Sequence, residues 1–335
     1  MYYIQQKFEE FYRIFLTDNK LELYELEKNR QSIIETNNKK KKLMKIFVII
    51  GVALFFLSAM ICAYLNYESD DIPTLSLIGA AIAIGGPYWV AKRYNQDGIE
   101  YDTKYKKLVI KKIVESFSEN LTYSPEGTIK YDEFKEIWKE HENNIFFSSD
   151  VISGEYLGHD VEISNINTRS TNRNPNYENF NGIFSKVEMP VNFDGSIYIK
   201  RKLDKEDKFY QMFIYDISES MNIEESKKSL KKQYEKLDID KLKKEFLIYI
   251  SDFKCKQLFD NQLIQLLEEI AKEQKIEIVV KNNVIYMKLW EIGFCTSPPT
   301  RKECSDKETM YNHYKKIYMI LNLSLEFEKR LKNIL

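Results

Sequence analysis

The chain has no excess of either charge: Lys+Arg 50 stand against Asp+Glu 51 in 335 residues, a formal net charge of -1. A dedicated nucleic-acid binder would be clearly basic, so that class is set aside and no nucleic-acid partner is expected. Cysteine is sparse, at 4, and no CxxC spacing occurs. A disulfide framework and a zinc-ribbon site are therefore not expected. Cys62 lies in an apolar run, Cys255 stands alone, and Cys295 and Cys304 flank the loop CTSPPTRKEC. A bridge across that loop is sterically feasible, but a cytoplasmic setting keeps both thiols reduced. The motifs GxSxG, HExxH, GxxxxGK[ST] and GxGxxG are all absent, and with them the sequence-level grounds for a hydrolase, metalloprotease or nucleotide-binding assignment. No cofactor or metal is expected. Gly and Pro are few, at 11 and 7, while Lys, Asn and Ile are plentiful, a bias that accompanies AT-rich bacterial genomes.

Hydrophobic residues make up 44% and charged ones 30%, ordinary for a folded protein. The mean hydropathy of -0.45 places any membrane segment in a small part of the chain. Two uncharged runs supply it: IFVIIGVALFFLSAMICAYL from Ile46 to Leu65, and IPTLSLIGAAIAIGGPYWVA from Ile72 to Ala91. About 20 residues at about 1.5 Å each match the roughly 30 Å hydrocarbon core. The spacing predicts transmembrane helices at residues 46–66 and 72–91, joined by a short external loop at 67–71. Lys39, Lys40, Lys41, Lys42 and Lys45 precede the first run, and Lys92 and Arg93 follow the second. The connector NYESDD is acidic. The positive-inside bias then puts both termini in the cytoplasm of a bacterial plasma membrane. Neither run contains an ionisable residue, which argues against a transporter or channel. The second is rich in small residues, including Gly79, Ala83 and Gly86, suited to packing on the first run or to self-association.

Residues 1–45 read as a cytoplasmic amphipathic helix, with Phe8, Phe11, Tyr12 and Phe15 on one face. Residues 92–335 read as a cytoplasmic α+β domain with antiparallel hairpins, a possible subdivision near 204–245 and a long C-terminal helix. Its expected pieces are a helix around Asp102–Asn120, a turn at Ser124–Gly127 and a short helix from Tyr131 to about Glu140. Then come a hairpin turning near Gly158–His159 and a second strand pair turning at Asn192–Gly195. Met221–Lys244 looks helical. The strand EFLIYIS, a helix capped at Asp260 or Asn261, and the hairpin KIEIVVKNNVIYMKLW with an Asn-Asn turn complete it.

Candidate site residues are few. His159 sits beside Asp160 and Glu162, but strand alternation sends the two carboxylates away from the face of Val161 and Ile163. Arg169 and Arg173 lie in the polar loop Asn167–Asn179, which suits an anion or a partner. His141 and His313 stand in helical contexts. No catalytic constellation emerges from these residues.

The order of the pieces resembles a bacterial membrane family, domain of unknown function 3137. The stretches that carry it are YSPEGTIKYDEFKE, SSDVISGEYLGHDVEISNINTRS, FNGIFSKVEMPVNFDGSIYI and the run from EFLIYIS to NVIYMKL. The resemblance spans most of residues 1–325, and the segment DFKCKQLFD departs from the acidic, Arg-containing pattern expected there. The resemblance implies a leading helix, two membrane crossings and an α+β domain, and it implies no chemistry. The expected function is a membrane-anchored interaction or sensing module. The alternatives are a membrane-associated enzyme acting on lipid or envelope precursors and a structural subunit of a membrane complex.

Overall fold

The computed structural model describes residues 2–64, 74–93, 96–138, 145–169, 180–201, 233–290, 294–298 and 302–335. They divide into two units, one of residues 12–108 and 296–307, the other of residues 1–11, 109–295 and 308–335.

The first unit is helical. Helix α1, Tyr2–Asp18, ends at Asn19, whose side-chain amide donates to the Phe15 carbonyl at 2.9 Å. Helix α2 then runs without a break from Lys20 to Tyr64. The expected boundary near residue 45 falls inside it. Nothing between Lys39 and Ile46 stops a helix, because Lys and Leu are good helix formers and neither Gly nor Pro intervenes. Among the described residues α2 is the one helix long and apolar enough to cross a membrane. Helix α3, Thr74–Arg93, is also apolar, but its described apolar stretch, Ile78–Val90, is shorter than a span requires. The expected pair of spanning helices is therefore matched by one candidate span. The connector at 67–71 lies outside the described residues.

Helices α2 and α3 pack closely because small residues face each other. A Cβ added at Gly51 would lie 2.5 Å from Ala83 Cβ and 2.7 Å from the Gly79 carbonyl oxygen. A Cβ at Gly86 would meet the Phe47 ring at 2.6 Å. Helix α4, Gln96–Tyr105, follows and passes into a π turn, Lys106–Ile110. Residues 296–307 join this unit through hydrogen bonds: Ser297 N–H donates to Asp102 Oδ1 at 2.8 Å, and Tyr12 Oη donates to the Ser305 carbonyl at 2.9 Å.

The second unit is built on one sheet. Its described strands are β1 Leu121–Ser124, β2 Ile145–Tyr156, β3 His159–Arg169, β4 Asn181–Glu188, β5 Ser196–Arg201, β6 Glu235–Leu237, β7 Phe246–Ile250, β8 Ile276–Lys281 and β9 Val284–Leu289. Every described pairing is antiparallel, in the order β1-β2-β3-β4-β9-β8-β5-β7-β6. Helix α5, Lys111–Glu115, precedes β1, and α6, Tyr131–Ile137, follows it. Helix α7, Asn261–Glu273, separates β7 from β8, its N-terminus capped by the Asp260 side chain. Helix α8, Lys307–Ile334, closes the chain.

Three expectations change here. First, β4 and β5 do not form a hairpin. The β8–β9 hairpin inserts between them, and the segment joining β4 to β5 bonds to its tip: Met189 N–H donates to the Asn283 carbonyl at 2.7 Å. The turn at 192–195 is thus a crossover. Second, the helix around Asp102–Asn120 is divided by the π turn and ends at Glu115. Third, Glu235–Leu237 is an edge strand on β7, not the end of a helix. The rest of the predicted helix, up to residue 232, lies outside the described residues. Strand β1 was not anticipated, being only 4 residues long.

The two faces of the sheet differ. One is aliphatic, with buried Val161, Ile163, Ile183, Val187, Ile285, Met287, Ile278, Val280, Ile197, Ile199, Ile248 and Ile250. The other carries Ile166, Phe184, Tyr286, Val279, Tyr198 and Tyr249, against which Phe134 and Trp138 of the α6 region pack. Burial on both faces explains why β8 reads IEIVVK with no regular alternation.

Candidate functional site

The aromatic face of the sheet gathers more chemistry than any other described surface. Period-2 alternation and cross-strand register bring its polar residues into two rows. One row contains Glu162, Lys186 and Tyr286 on neighbouring strands β3, β4 and β9. The other contains Ser164, Phe184, Lys288 and Glu277 on β3, β4, β9 and β8.

In the inner row Lys288 Nζ lies 2.9 Å from Glu277 Oε2, with both side chains buried. The ammonium is ringed by aromatics: Trp290 at 4.5 Å, Trp138 at 5.2 Å and Phe180 at 5.8 Å from the ring centroids. Ring faces carry negative potential, so they solvate a cation that has left water. Trp290 also has Lys275 Nζ 3.7 Å from its centroid. Buried Lys200 belongs to the same face of the sheet.

In the outer row Glu162 is half-buried and hydrogen-bonded to Glu133 of α6. Burial, then the Glu133 charge, pushes the Glu162 carboxyl above its ordinary range, and Lys186 opposes that shift. Burial works to lower the Lys186 ammonium, but its bond to Glu188 at 3.1 Å outweighs this and raises it.

Sequence reasoning named Glu162 but not its partners. His159 separates from it, whereas Asp160 stays on its face of β3. His159 is buried on the aliphatic side, its Nε2 2.8 Å from Glu328 Oε2 of α8. Asp160 is exposed, opposite Glu155 across the β2–β3 hairpin. Arg169 is exposed at the end of β3 and bonds Asn167 at 3.3 Å. Arg173 and His141 lie outside the described residues. Lys39, Lys41, Lys42 and Lys45 project to the exterior of α2, with Lys40 half-buried. Lys92 and Arg93 close α3, their side chains outside the described set.

A second polar cluster occupies the helical unit. The Arg30 guanidinium, bonded at 2.8 Å, holds the Glu27 carboxyl below its ordinary range against the effect of burial. Glu27 also accepts from Cys304 N–H at 3.3 Å. Burial, followed by the Glu27 charge, pushes the Cys304 thiol up to about 12. Cys255, Cys295 and Cys304 are all buried, as structural thiols would be.

The paired side chains can bind, orient and share protons. Among the described residues no group of three or more His, Cys, Asp or Glu is placed to hold a metal ion. The Lys288–Glu277 pair did have a sequence signal. Charged residues interrupt the apolar strands IEIVV and VIYMKL, and an Asn-Asn turn fixes position 288 opposite position 277. Glu133, by contrast, meets Glu162 only through tertiary packing.

Residues 178–329 match the family model described as protein of unknown function (DUF3137). The match runs from just before β4 into α8 and includes Lys288 and Glu277. The stretches YSPEGTIKYDEFKE and SSDVISGEYLGHDVEISNINTRS precede it. No curated protein matches the chain. The crystal structure of the mycobacterial trehalose monomycolate transport factor A is similar at 10% identity over 69% of this chain and 96% of that one, with a TM-score of 0.37. A likeness at that level carries no functional argument.

Proposed function

We propose that this protein is a membrane-anchored interaction or sensing module that holds a partner or ligand at the inner face of a bacterial plasma membrane. The observation that carries this reading is helix α2. Its apolar half and residues 20–45 are one uninterrupted helix, about 40 Å of which precedes the apolar run at 1.5 Å per residue. A displacement of the membrane segment is therefore delivered to the polar segment without an intervening loop.

In this reading α2 and α3 both cross the bilayer as a hairpin, with the acidic connector outside and both termini in the cytoplasm. The exposed Lys39, Lys41, Lys42 and Lys45 support that orientation. The approach of Gly51 to Gly79 and Ala83 supports α3 accompanying α2 in lipid. The ion pairs of the aromatic face favour holding over turnover, because the charged groups described there are engaged with one another.

The test is in-cell cross-linking, followed by purification of the full chain from native membranes in mild detergent and mass spectrometry of proteins and small molecules. A reproducible partner cross-linked to residues 96–335 is the expected result. Turnover of a co-purified lipid or metabolite, abolished by a single substitution, would overturn the reading in favour of an enzyme. Cysteine accessibility from either side of sealed vesicles tests the hairpin: an engineered Ser69→Cys label reachable only from outside is expected.

A further inference from the structure

The helical unit has a covered side and an open side around the junction of α1 and α2. Phe15, Asn19, Leu23, Leu26, Arg30 and Ile33 are buried, at the spacing of one continuous helical stripe. The stripe runs through the junction without losing phase: Asn19 N–H donates to the Phe15 carbonyl at 3.1 Å, and Leu23 N–H donates to the Asn19 carbonyl at 2.9 Å. Residues 296–307 lie on this side, where Ser305 accepts from Tyr12 and Cys304 donates to Glu27. The opposite side carries Ile14, Leu21 and Tyr24, which are 47%, 69% and 68% exposed. Ile14 and Leu21 stand one heptad apart, with Tyr24 at the following d position and Thr17 at the d position between them. That is the seam of a two-stranded coiled coil.

The charges beside the seam say what covers it. With Ile14 and Leu21 at a, Arg13 and Lys20 fall at g and Asp18 and Glu25 at e. All four side chains are exposed, and among the described residues none of them is ion-paired within the chain. In a parallel, in-register pair each g residue faces the e residue of the partner's next heptad. Arg13 then meets Asp18 of the other copy, and Lys20 meets its Glu25. Two-fold symmetry makes each contact twice. An antiparallel pair sets e against e and g against g, which brings Asp18 towards Glu25 and Arg13 towards Lys20. Glu27, at the next g position, is committed to Arg30 on the covered side.

We infer that residues 13–28 form a parallel two-stranded coiled coil with a second copy of this chain. Lys28 occupies the next a position and ends the apolar seam. About two heptads are fewer than a free coiled coil uses, so a weak seam is expected from the polar segment by itself. The continuity of α2 with its apolar half offsets that weakness. Two copies anchored in one bilayer present the segment in the same direction and at the same height, and the tether raises their effective concentration. The charge pattern selects the parallel pair independently of that anchoring, which adds only affinity.

Cross-linking of the full chain in native membranes, in a background without the native thiols, tests the seam. Leu21→Cys is expected to give a disulfide-linked dimer on mild oxidation. Glu22→Cys, exposed but one position off the seam, is expected to give none. Charge reversal tests register and orientation, read by energy transfer between labelled copies in lipid bilayers. Lys20→Glu replaces two attractive contacts with two repulsive ones and should raise the dimer dissociation constant by about tenfold. Glu25→Lys should do the same, and the double reversal should return the constant to the parent value. All of these positions are exposed, so thermal midpoints should not move with them. Equal cross-linking at Leu21→Cys and Glu22→Cys overturns the inference, as does a double reversal that fails to rescue. A dimer indifferent to Lys20→Glu does so too, and would move self-association to another surface. An anchored chain that captures a different protein while remaining single overturns the coiled coil and leaves the interaction-module reading standing.

Discussion

Lys288 Nζ and Glu277 Oε2 stand 2.9 Å apart on adjacent strands, with side chains 0% and 2% exposed. An ammonium and a carboxylate removed so completely from water lose their hydration, and their mutual attraction together with the rings around Lys288 offsets that loss. The pair closes one row of the aromatic face and ties β9 to β8 beyond their backbone ladder.

Removing one member should therefore hurt more than removing both. Lys288→Met is expected to cost about 3–5 kcal/mol because it takes the neighbouring ammonium from a buried carboxylate. Adding Glu277→Leu to that variant should restore part of the loss. Denaturant unfolding of the detergent-solubilised chain, followed by tryptophan fluorescence, reads both effects. A double variant no more stable than the single one would show that the pair is not the principal compensation for either charge.

A different sign is expected at Glu162. Burial and Glu133 raise its folded pKa, so its contribution is favourable at low pH and is lost as pH rises through the folded value. Glu162→Gln should flatten that fall and raise stability above it, by about 0.5–1 kcal/mol after allowance for solvent screening at a half-exposed site. Thermal midpoints measured across pH for wild type and variant decide this. Equal pH slopes would assign the titration elsewhere.

How legible this molecule is in its sequence depends on the range of the interaction concerned. The β8–β9 hairpin is local: Asn282 and Asn283 both hold the left-handed conformation, at φ +52° and +64°, that a two-residue turn demands. Asp260 as the cap of α7 is equally local. The misreading of β4 and β5 as a hairpin has a non-local cause, since no feature of MPVNFDG reveals that two strands from residues 276–289 will insert between its flanks. Alternation correctly parted His159 from Asp160, yet gave no sign that His159 would meet Glu328, 169 residues later. The continuity of α2 was hidden by the change from polar to apolar residues, which is not in itself a helix stop.

The cysteines should be unreactive in the folded chain. Burial pushes Cys255 up to about 11 and Cys304 up to about 12. At neutral pH the thiolate fraction is then on the order of 10⁻⁴ or less, and the thiolate is the nucleophile. Maleimide labelling followed by peptide mapping should leave both unmodified under native conditions and label both rapidly in denaturant. Native labelling of Cys304 at the rate of a free thiol would show that residues 302–306 leave α2 on the labelling timescale.

The contact between α2 and α3 gives the sharpest steric test. A side chain at Gly51 would begin 2.5 Å from Ala83 Cβ and 2.7 Å from Ala83 N, and one at Gly79 would begin 2.9 Å from the Gly51 carbonyl oxygen. Backbone lies on both sides of each contact, so no side chain can swing away to make room. Gly51→Val should force the helices apart at a cost of about 1–3 kcal/mol, whereas Gly85→Ala, with nothing within 4 Å of the new Cβ, should be neutral or mildly stabilising. A disulfide engineered between Phe47→Cys and Gly86→Cys, in a background without the native thiols, reports the separation directly. It should form readily in the parent and in the Gly85→Ala variant, and poorly with Gly51→Val. Equal cross-linking in all three would mean that the helices are held by the chain that connects them and not by the small residues at their interface.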